Sequence, residues 1–304
     1  MVIATDTSVL TSLLEQEYPP LSLAPEEIHL WLADYEEINE GWLHSAYRKL
    51  LSATERQQER RFYFARDQGR YLVTRALVRT VLSRYVTVNP KEWVFSTTTY
   101  GRPEIVNAQA RSECLSFSIS HTHSIIILAV TKRRAVGVDI ENVRSRKIEI
   151  EVADRCFAPE EVAALAAVSS PEQQHRFFEY WTFKEAYIKA RGMGLFLPLN
   201  RFSFRYPSDR TVEIAIHPEL NDDAGRWQFW QFRPAPEYLM AICAERLNMG
   251  QSSLVARQVV PLVNEQRIIL DSTRASSPSF KTDHVLHKVD AKFEIPHQQG
   301  PRPI

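Results

Sequence analysis

Two short segments place carboxylates where the surrounding pattern calls for apolar side chains: AVGVDIE at Ala135 to Glu141, and FFEYWTFKEAYIKARG at Phe177 to Gly192. Successive side chains of a strand alternate faces, so Val136, Val138 and Ile140 share one face and Gly137, Asp139 and Glu141 the other. Carboxylates two residues apart start from backbone positions roughly 6–7 Å apart and point the same way. A hard cation between them would remove their repulsion, and Mg2+ takes one or two protein carboxylates together with substrate phosphate oxygens. Gly137 leaves that side open to close approach. Taken alone, the pair also suits a solvent-facing strand. The helix bears on the choice, because Phe177, Trp181, Glu185 and Ile188 fall on one stripe. Glu185 therefore stands where its neighbours mark an apolar position, and a carboxylate there needs a partner. Lys189 at i+4 offers a helix pair worth only about 0.3–0.5 kcal/mol when exposed. A metal site shared with Asp139 and Glu141 accounts for Glu185 better.

The longest apolar run, IIILAV at Ile125 to Val130, is too short to span a bilayer. The opening MVIATDTSVLTSLLEQEYPP has no basic start and no clean apolar core, so no signal peptide is expected. Three scattered cysteines, Cys114, Cys156 and Cys243, have no metal-like spacing and suit a reducing cytoplasm. A formal net charge of +0 argues against a protein built to coat nucleic acid or an anionic membrane. At 304 residues, 44% of them hydrophobic, the chain can bury a real core in two compact units or one large one.

Charge is nevertheless uneven. Between Ala46 and Tyr85 there are ten Lys and Arg against three acids, Glu55, Glu59 and Asp67. Two helices are expected here, one opened by the cap signal Ser52–Glu55 and one running through RYLVTRALVRTVLSRY. Strands follow at WVFST, with a turn at YGRP, and a hairpin forms from LSFSIS and IIILAVT around HTHS. After AVGVDIE, Pro159 suits a first helical turn, and the helix from Gln173 to Arg191 stops at Gly192. NRFSFRY, TVEIAIH, WQFWQFR and YLMAICAE read as short strands. Two similar helix-plus-strand halves are expected to meet near Arg133 to Val136: residues 1–134 on the phosphate-binding side and 135–250 on the metal side. Residues 251–304, polar and bearing Pro and Ser from Asp271 onward, are expected to form a largely flexible extension.

His121 and His123 lack further ligands at zinc spacing, so a phosphate donor at the hairpin, helped by Ser120, is the simpler functional reading. Arg60, Arg61 and Arg70 lie among Phe62, Tyr63, Phe64 and Tyr71, a mix that suits a phosphate clamp with a ring for a base, or simply a solvated helix face. No Walker loop, dinucleotide fingerprint or nucleophile elbow is present.

The order GRP (Gly101 to Pro103), FSISHTHS (Phe117 to Ser124), GVDIE (Gly137 to Glu141), RCFAPEE (Arg155 to Glu161) and WTFKEAYIKARGMGLFLPL (Trp181 to Leu199) resembles the 4'-phosphopantetheinyl transferases of the large monomeric, surfactin-synthetase-activating type. The likeness runs from about Trp31 to Glu245 and leaves the C-terminal extension unexplained. It implies an α+β fold of two pseudo-twofold-related α/β halves with the active site between them. It further implies transfer of 4'-phosphopantetheine from coenzyme A to a serine of an apo acyl or peptidyl carrier protein, releasing adenosine 3',5'-bisphosphate. Asp139, Glu141 and Glu185 match the Mg2+ ligands, with Mn2+ as an alternative ion. Arg70 and His121 match coenzyme A phosphate contacts, Lys189 matches the pyrophosphate contact, and Arg102 the nucleotide side; Arg61, Ser120 and Lys184 join that cofactor set. Glu185 is the candidate base and Lys189 its catalytic companion. Ala158 departs from the usual Ser or Thr cap, and MGLFL at Met193 to Leu197 is a candidate carrier contact. The implied enzyme is a cytoplasmic monomer without nucleic-acid or membrane partners. A non-catalytic binder of coenzyme A or carrier, and a metal-dependent phosphodiesterase, are the competing readings; a bare binder has no use for three clustered acids.

Overall fold

Alternation along two strands sets the layers of this molecule. In the computed structural model, which describes residues 19–145, 147–247 and 252–276, β1 (Glu27–Asp34) and β6 (Val136–Asn142) each send one face to a partner sheet and the other to a helix. Between them run α1 (Gly41–Leu50), α2 (Ala53–Glu59), α3 (Ala65–Leu82), β2 (Phe95–Thr97), β3 (Pro103–Ile105), α4 (Ala108–Ser112), β4 (Leu115–Thr122) and β5 (Ile125–Lys132). After β6 come α5 (Ala153–Cys156), α6 (Pro159–Ala166), α7 (Ser170–Arg191), β7 (Phe202–Ser208), β8 (Thr211–Ile216), β9 (Trp227–Phe232) and β10 (Tyr238–Glu245). Last are β11 (Ser253–Val260), β12 (Asn264–Ile268) and β13 (Ser272–Ala275).

One sheet runs β12-β11-β1-β5-β4 and the other β6-β10-β9-β13-β8-β7. The order β1-β5-β4 is repeated as β6-β10-β9, and both β1–β5 and β6–β10 are antiparallel, so the two halves share one plan. This is the α+β fold the sequence implied. The inner faces meet through Ile28, Leu30 and Leu32 of β1 against Val138 and Ile140 of β6 and Met240 and Ile242 of β10. The outer face of β1, with Trp31 and Ala33, packs on Leu72, Val73, Ala76 and Leu77 of α3. The outer face of β6 instead lies against α7. A Cβ on Gly137 would come within 2.0 Å of the Ala186 carbonyl oxygen and 2.4 Å of the Ala190 nitrogen, so only glycine allows that approach.

The helix signals hold at atomic level. Ser52 Oγ accepts from Glu55 N at 3.2 Å while Glu55 Oε2 accepts from Ser52 N at 2.8 Å. Gly192 ends α7 with φ +68°, the left-handed stop. At the start of α6 Ala158 has no oxygen to give, and Glu161 alone caps by accepting from Ala158 N at 2.9 Å.

Three regions differ from the sequence expectations. β1, buried along both faces, shows no alternation to read, and α1 was not anticipated. The expectation of a loose extension from 251 onward is corrected for 253–275. β11 runs parallel to β1 (Trp31 opposite Arg257), β12 folds back on β11, and β13 enters the other sheet between β9 and β8. The pairings of β11 with β1 and of β13 with β9 and β8 join strands distant in sequence, which leave no local signal. The opening segment read for a leader and the tail beyond Ser276 lie outside the described residues. Among the described residues, no helix is long and apolar enough to cross a membrane.

Candidate active site

The edge strand of each sheet meets the other, and the site grows from that seam. Alternating hydroxyls on β4 stitch it to β6: Ser118 Oγ accepts from Val138 N (3.1 Å), Thr122 Oγ1 accepts from Asn142 N (3.0 Å), and Ser120 Oγ donates to Asp139 Oδ1 (2.9 Å). On the far side of β6, α7 presents Trp181, Glu185 and Lys189 one turn apart. The strand and helix run in register. Trp181 Nε1 donates to Glu141 Oε1 at 3.1 Å, and Lys189 Nζ donates to Asp139 Oδ1 at 2.7 Å and Ser120 Oγ at 2.8 Å. Glu185 stands between these two contacts on the helix. Burial first, then the Asp139 charge, pushes its carboxyl up to about 6, with Lys189 opposing the shift.

The sequence proposed Lys189 as an i+4 partner for Glu185; the structure pairs it with Asp139 instead, because the turn-by-turn match of α7 to β6 carries its ammonium across. Asp139 is buried at 5% exposure, and its Oδ2 has no hydrogen-bond partner. An orphaned carboxylate oxygen beside two further acids is a hard-donor set that suits Mg2+. With Lys189 drawn onto Asp139, no three His, Cys, Asp or Glu side chains among the described residues form a ready metal group.

Other expected residues divide. His121, at the end of β4, faces solvent, yet the walls around it and then the Arg70 charge hold its imidazole below the usual range. That coupling brings Arg70 of α3 to the same mouth, where it also pairs with Asp67 at 2.9 Å. His123 occupies the turn with φ +21°. Arg102 reaches the C-terminal end of α7, with Nη1 3.4 Å from the Ala190 carbonyl, a favourable place for a cation. Arg61 is exposed on the chain leading to α3 and contacts Gln58 of α2; no contact draws it into the cluster. Phe196 is 72% exposed and rests against Tyr100.

Lys184 is corrected. It is fully buried, with Nζ 2.7 Å from Glu161 Oε2 and donating to the carbonyls of Leu199 and Phe202 at 2.8 and 2.7 Å. Its ammonium is fully engaged inside the C-terminal half and faces no open site. Periodicity could have shown this, since Lys184 is one position before Glu185 and so points away from the Trp181–Glu185–Lys189 stripe. Sequence reasoning treated Trp181 as a packing residue and missed its indole donor; the one-turn spacing from Trp181 to Glu185 was the available signal.

Comparison with known proteins bears on this arrangement. The family described as the 4'-phosphopantetheinyl transferase superfamily matches residues 135–243, and that described as 4'-phosphopantetheinyl transferase, N-terminal, matches residues 36–133. The chain is similar to the 4'-phosphopantetheinyl transferase Sfp of Bacillus subtilis (strain 168), 35% identical over 198 residues that cover 65% of this chain and 84% of that protein. It is also similar to the 4'-phosphopantetheinyl transferase HetI of a Nostoc species, 33% identical over 58% of this chain and 73% of that one. A phosphopantetheinyl transferase from a Thraustochytrium species is 34% identical over 57% of this chain and 65% of its own.

Proposed function

The chain belongs to the 4'-phosphopantetheinyl transferase family and transfers the phosphopantetheine arm of coenzyme A to a carrier protein, and from that premise we propose that the acid–lysine seam between β6 and α7 is its reaction centre. What supports this most is the register itself: Glu141 with Trp181, Asp139 with Lys189, and Glu185 between them, on the junction of the two halves.

In this reading residues 1–134 grip the nucleotide, with Arg70, His121 and Ser120 toward the phosphates and Arg102 and the exposed Arg61 on the outer side. Residues 135–250 carry the chemistry. Asp139, Glu141 and Glu185 would hold Mg2+, or Mn2+, which would supply charge neutralisation at the pyrophosphate. Glu185 accepts the proton of the carrier serine hydroxyl. The serine oxygen forms the new P–O bond to the phosphopantetheine phosphorus. The old P–O bond breaks toward adenosine 3',5'-bisphosphate, whose freed phosphate oxygen gains charge. Lys189 donates to that oxygen. The enzyme works as a cytoplasmic monomer on acyl or peptidyl carrier proteins of fatty-acid, polyketide or non-ribosomal peptide assembly.

The test is incubation with fluorescent coenzyme A and an apo carrier protein, in Mg2+ or in excess chelator, for the wild type and for Asp139→Asn. Chelator and substitution are each expected to slow labelling by at least about 100-fold. Labelling at the wild-type rate under either condition would contradict the assignment.

A further inference from the structure

The C-terminal strands do more than extend the sheets. β12 belongs to the N-terminal sheet and β13 to the C-terminal one, so the stretch from Asn264 to Ala275 crosses from one half to the other. It lies beyond both stretches that match the family, 36–133 and 135–243. β13 is irregular: the register on β9 shifts between Ser272 and Arg274, so that Arg274 stands opposite Gln231. Such a bulge re-aims a side chain, and here it turns Arg274 inward, to 6% exposure.

Buried, the guanidinium has specific partners. Arg274 Nη1 lies 3.1 Å from Glu179 Oε1 and 3.1 Å from Gln231 Oε1, and the cation sits 3.8 Å from the Tyr206 ring centroid. Gln231, fully buried, passes the contact on: its Nε2 donates to the Glu179 carbonyl and to Thr182 Oγ1, both at 3.1 Å. Arg176 also pairs with Glu179, at 2.9 Å. The links through Glu179 and Gln231 end on α7 at Glu179 and Thr182, within one turn of Trp181 and two of Glu185, while the Tyr206 ring belongs to β7. The same sheet-facing side of α7 carries Ala186 and Ala190 against Gly137 of β6, further toward the C-terminal end of the helix. Helix position therefore has two determinants along that side: the Arg274 clasp near Glu179 and the close approach at Gly137 near Ala186 and Ala190.

We infer that Arg274 is a positioning residue for the transfer reaction: through Glu179 and Gln231 it fixes the axial setting of α7, and with it Glu185 and Lys189 against β6. The inference rests on the reaction centre proposed above. A buried charge held at two points resists sliding of the helix, whereas apolar packing alone tolerates small shifts.

The experiment measures kcat and KM for carrier labelling in Arg274→Met and Arg274→Lys, each normalised to the fraction of molecules that bind coenzyme A in a titration. Arg274→Met is expected to lower kcat per binding-competent molecule by about 10- to 100-fold, with KM for coenzyme A little changed. Arg274→Lys keeps the charge facing Glu179 and loses the planar fork, so an intermediate loss of about 3- to 10-fold is expected. A merely structural arginine would reduce the competent fraction and leave kcat per competent molecule at the wild-type value, and that result overturns the inference. Should Arg274→Met fail to fold, an unchanged kcat in Arg274→Lys overturns it equally. Asp139→Asn is measured alongside. If it transfers normally, the reaction centre itself is wrong; if it is inactive while both Arg274 variants match wild type, only the clasp is wrong.

Discussion

β1 and β6 occupy equivalent places in the two halves, and their inner faces are interchangeable in kind: Ile28, Leu30 and Leu32 against Val136, Val138 and Ile140. Their outer faces are not. Where β1 shows His29, Trp31 and Ala33 to α3, β6 shows Gly137, Asp139 and Glu141 to α7. The supports behind them match closely. In each half the capping glutamate of a short helix meets a buried cation on the long one: Glu55 with Arg79, and Glu161 with Lys184. In each, that cation also holds carbonyls of the following connection, Pro90 for Arg79 and Leu199 and Phe202 for Lys184. The comparison teaches that the scaffold was kept and the chemistry was written on one strand face. The apolar half shows what that face is worth when it only packs.

The largest expected effect lies in those supports. Loss of Arg79 leaves Glu55 with Arg75, 2.6 Å away, but loss of Lys184 leaves the fully buried Glu161 with the N–H groups of Ala158 and Phe204. Burial already pushes the Glu161 carboxyl up, against the attraction of Lys184. Lys184→Met is expected to cost about 3–5 kcal/mol in urea unfolding, more than Arg79→Met. Equal costs would break the contrast.

Next in size is a pH effect confined to the N-terminal half. Desolvation, then Arg257, lowers His29 from the usual value of 6.5 to about 4. A depressed pKa means that the unfolded chain takes up the proton first. The stability from a neutral His29 is therefore complete above about pH 6.5 and lost as the pH falls toward 4, by about 3 kcal/mol at most. Melting of His29→Gln against wild type from pH 7 to 4 checks it; parallel curves would contradict it. At the equivalent place on β6, Gly137→Ala forces α7 off the strand and is expected to cost about 1–3 kcal/mol. It should also slow transfer more than that loss of folded protein explains. Smallest is Ala158→Ser, which copies the Ser52 cap into the other half and should stabilise by about 0.5–1 kcal/mol. A thermal melt resolves the sign.

How much of this was legible follows from the range of each signal. Asp139, Glu141 and Glu185 could be read because alternation and helical spacing are local, and a charge out of pattern shows without knowledge of its neighbours. Gly192, Ser52 and Glu55 are local for the same reason. Lys184 lies one position off the Trp181–Glu185–Lys189 stripe, and the resemblance that joins it to the cofactor set carries no information on that spacing. β1 was missed because a strand covered on both faces has no alternation. β11, β13 and Arg274 are not legible because their partners, Trp31, Gln231 and Glu179, lie far away in sequence, and only the closed sheets bring them together.

The most direct measurement is single-turnover transfer by Glu185→Gln, with coenzyme A affinity determined in parallel. Glutamine preserves the shape of the side chain but removes the base. Wild-type affinity with transfer slowed by at least about 100-fold is the predicted result. Transfer at the wild-type rate by a correctly folded Glu185→Gln would show that the seam between β6 and α7 is not where the proton leaves the carrier serine.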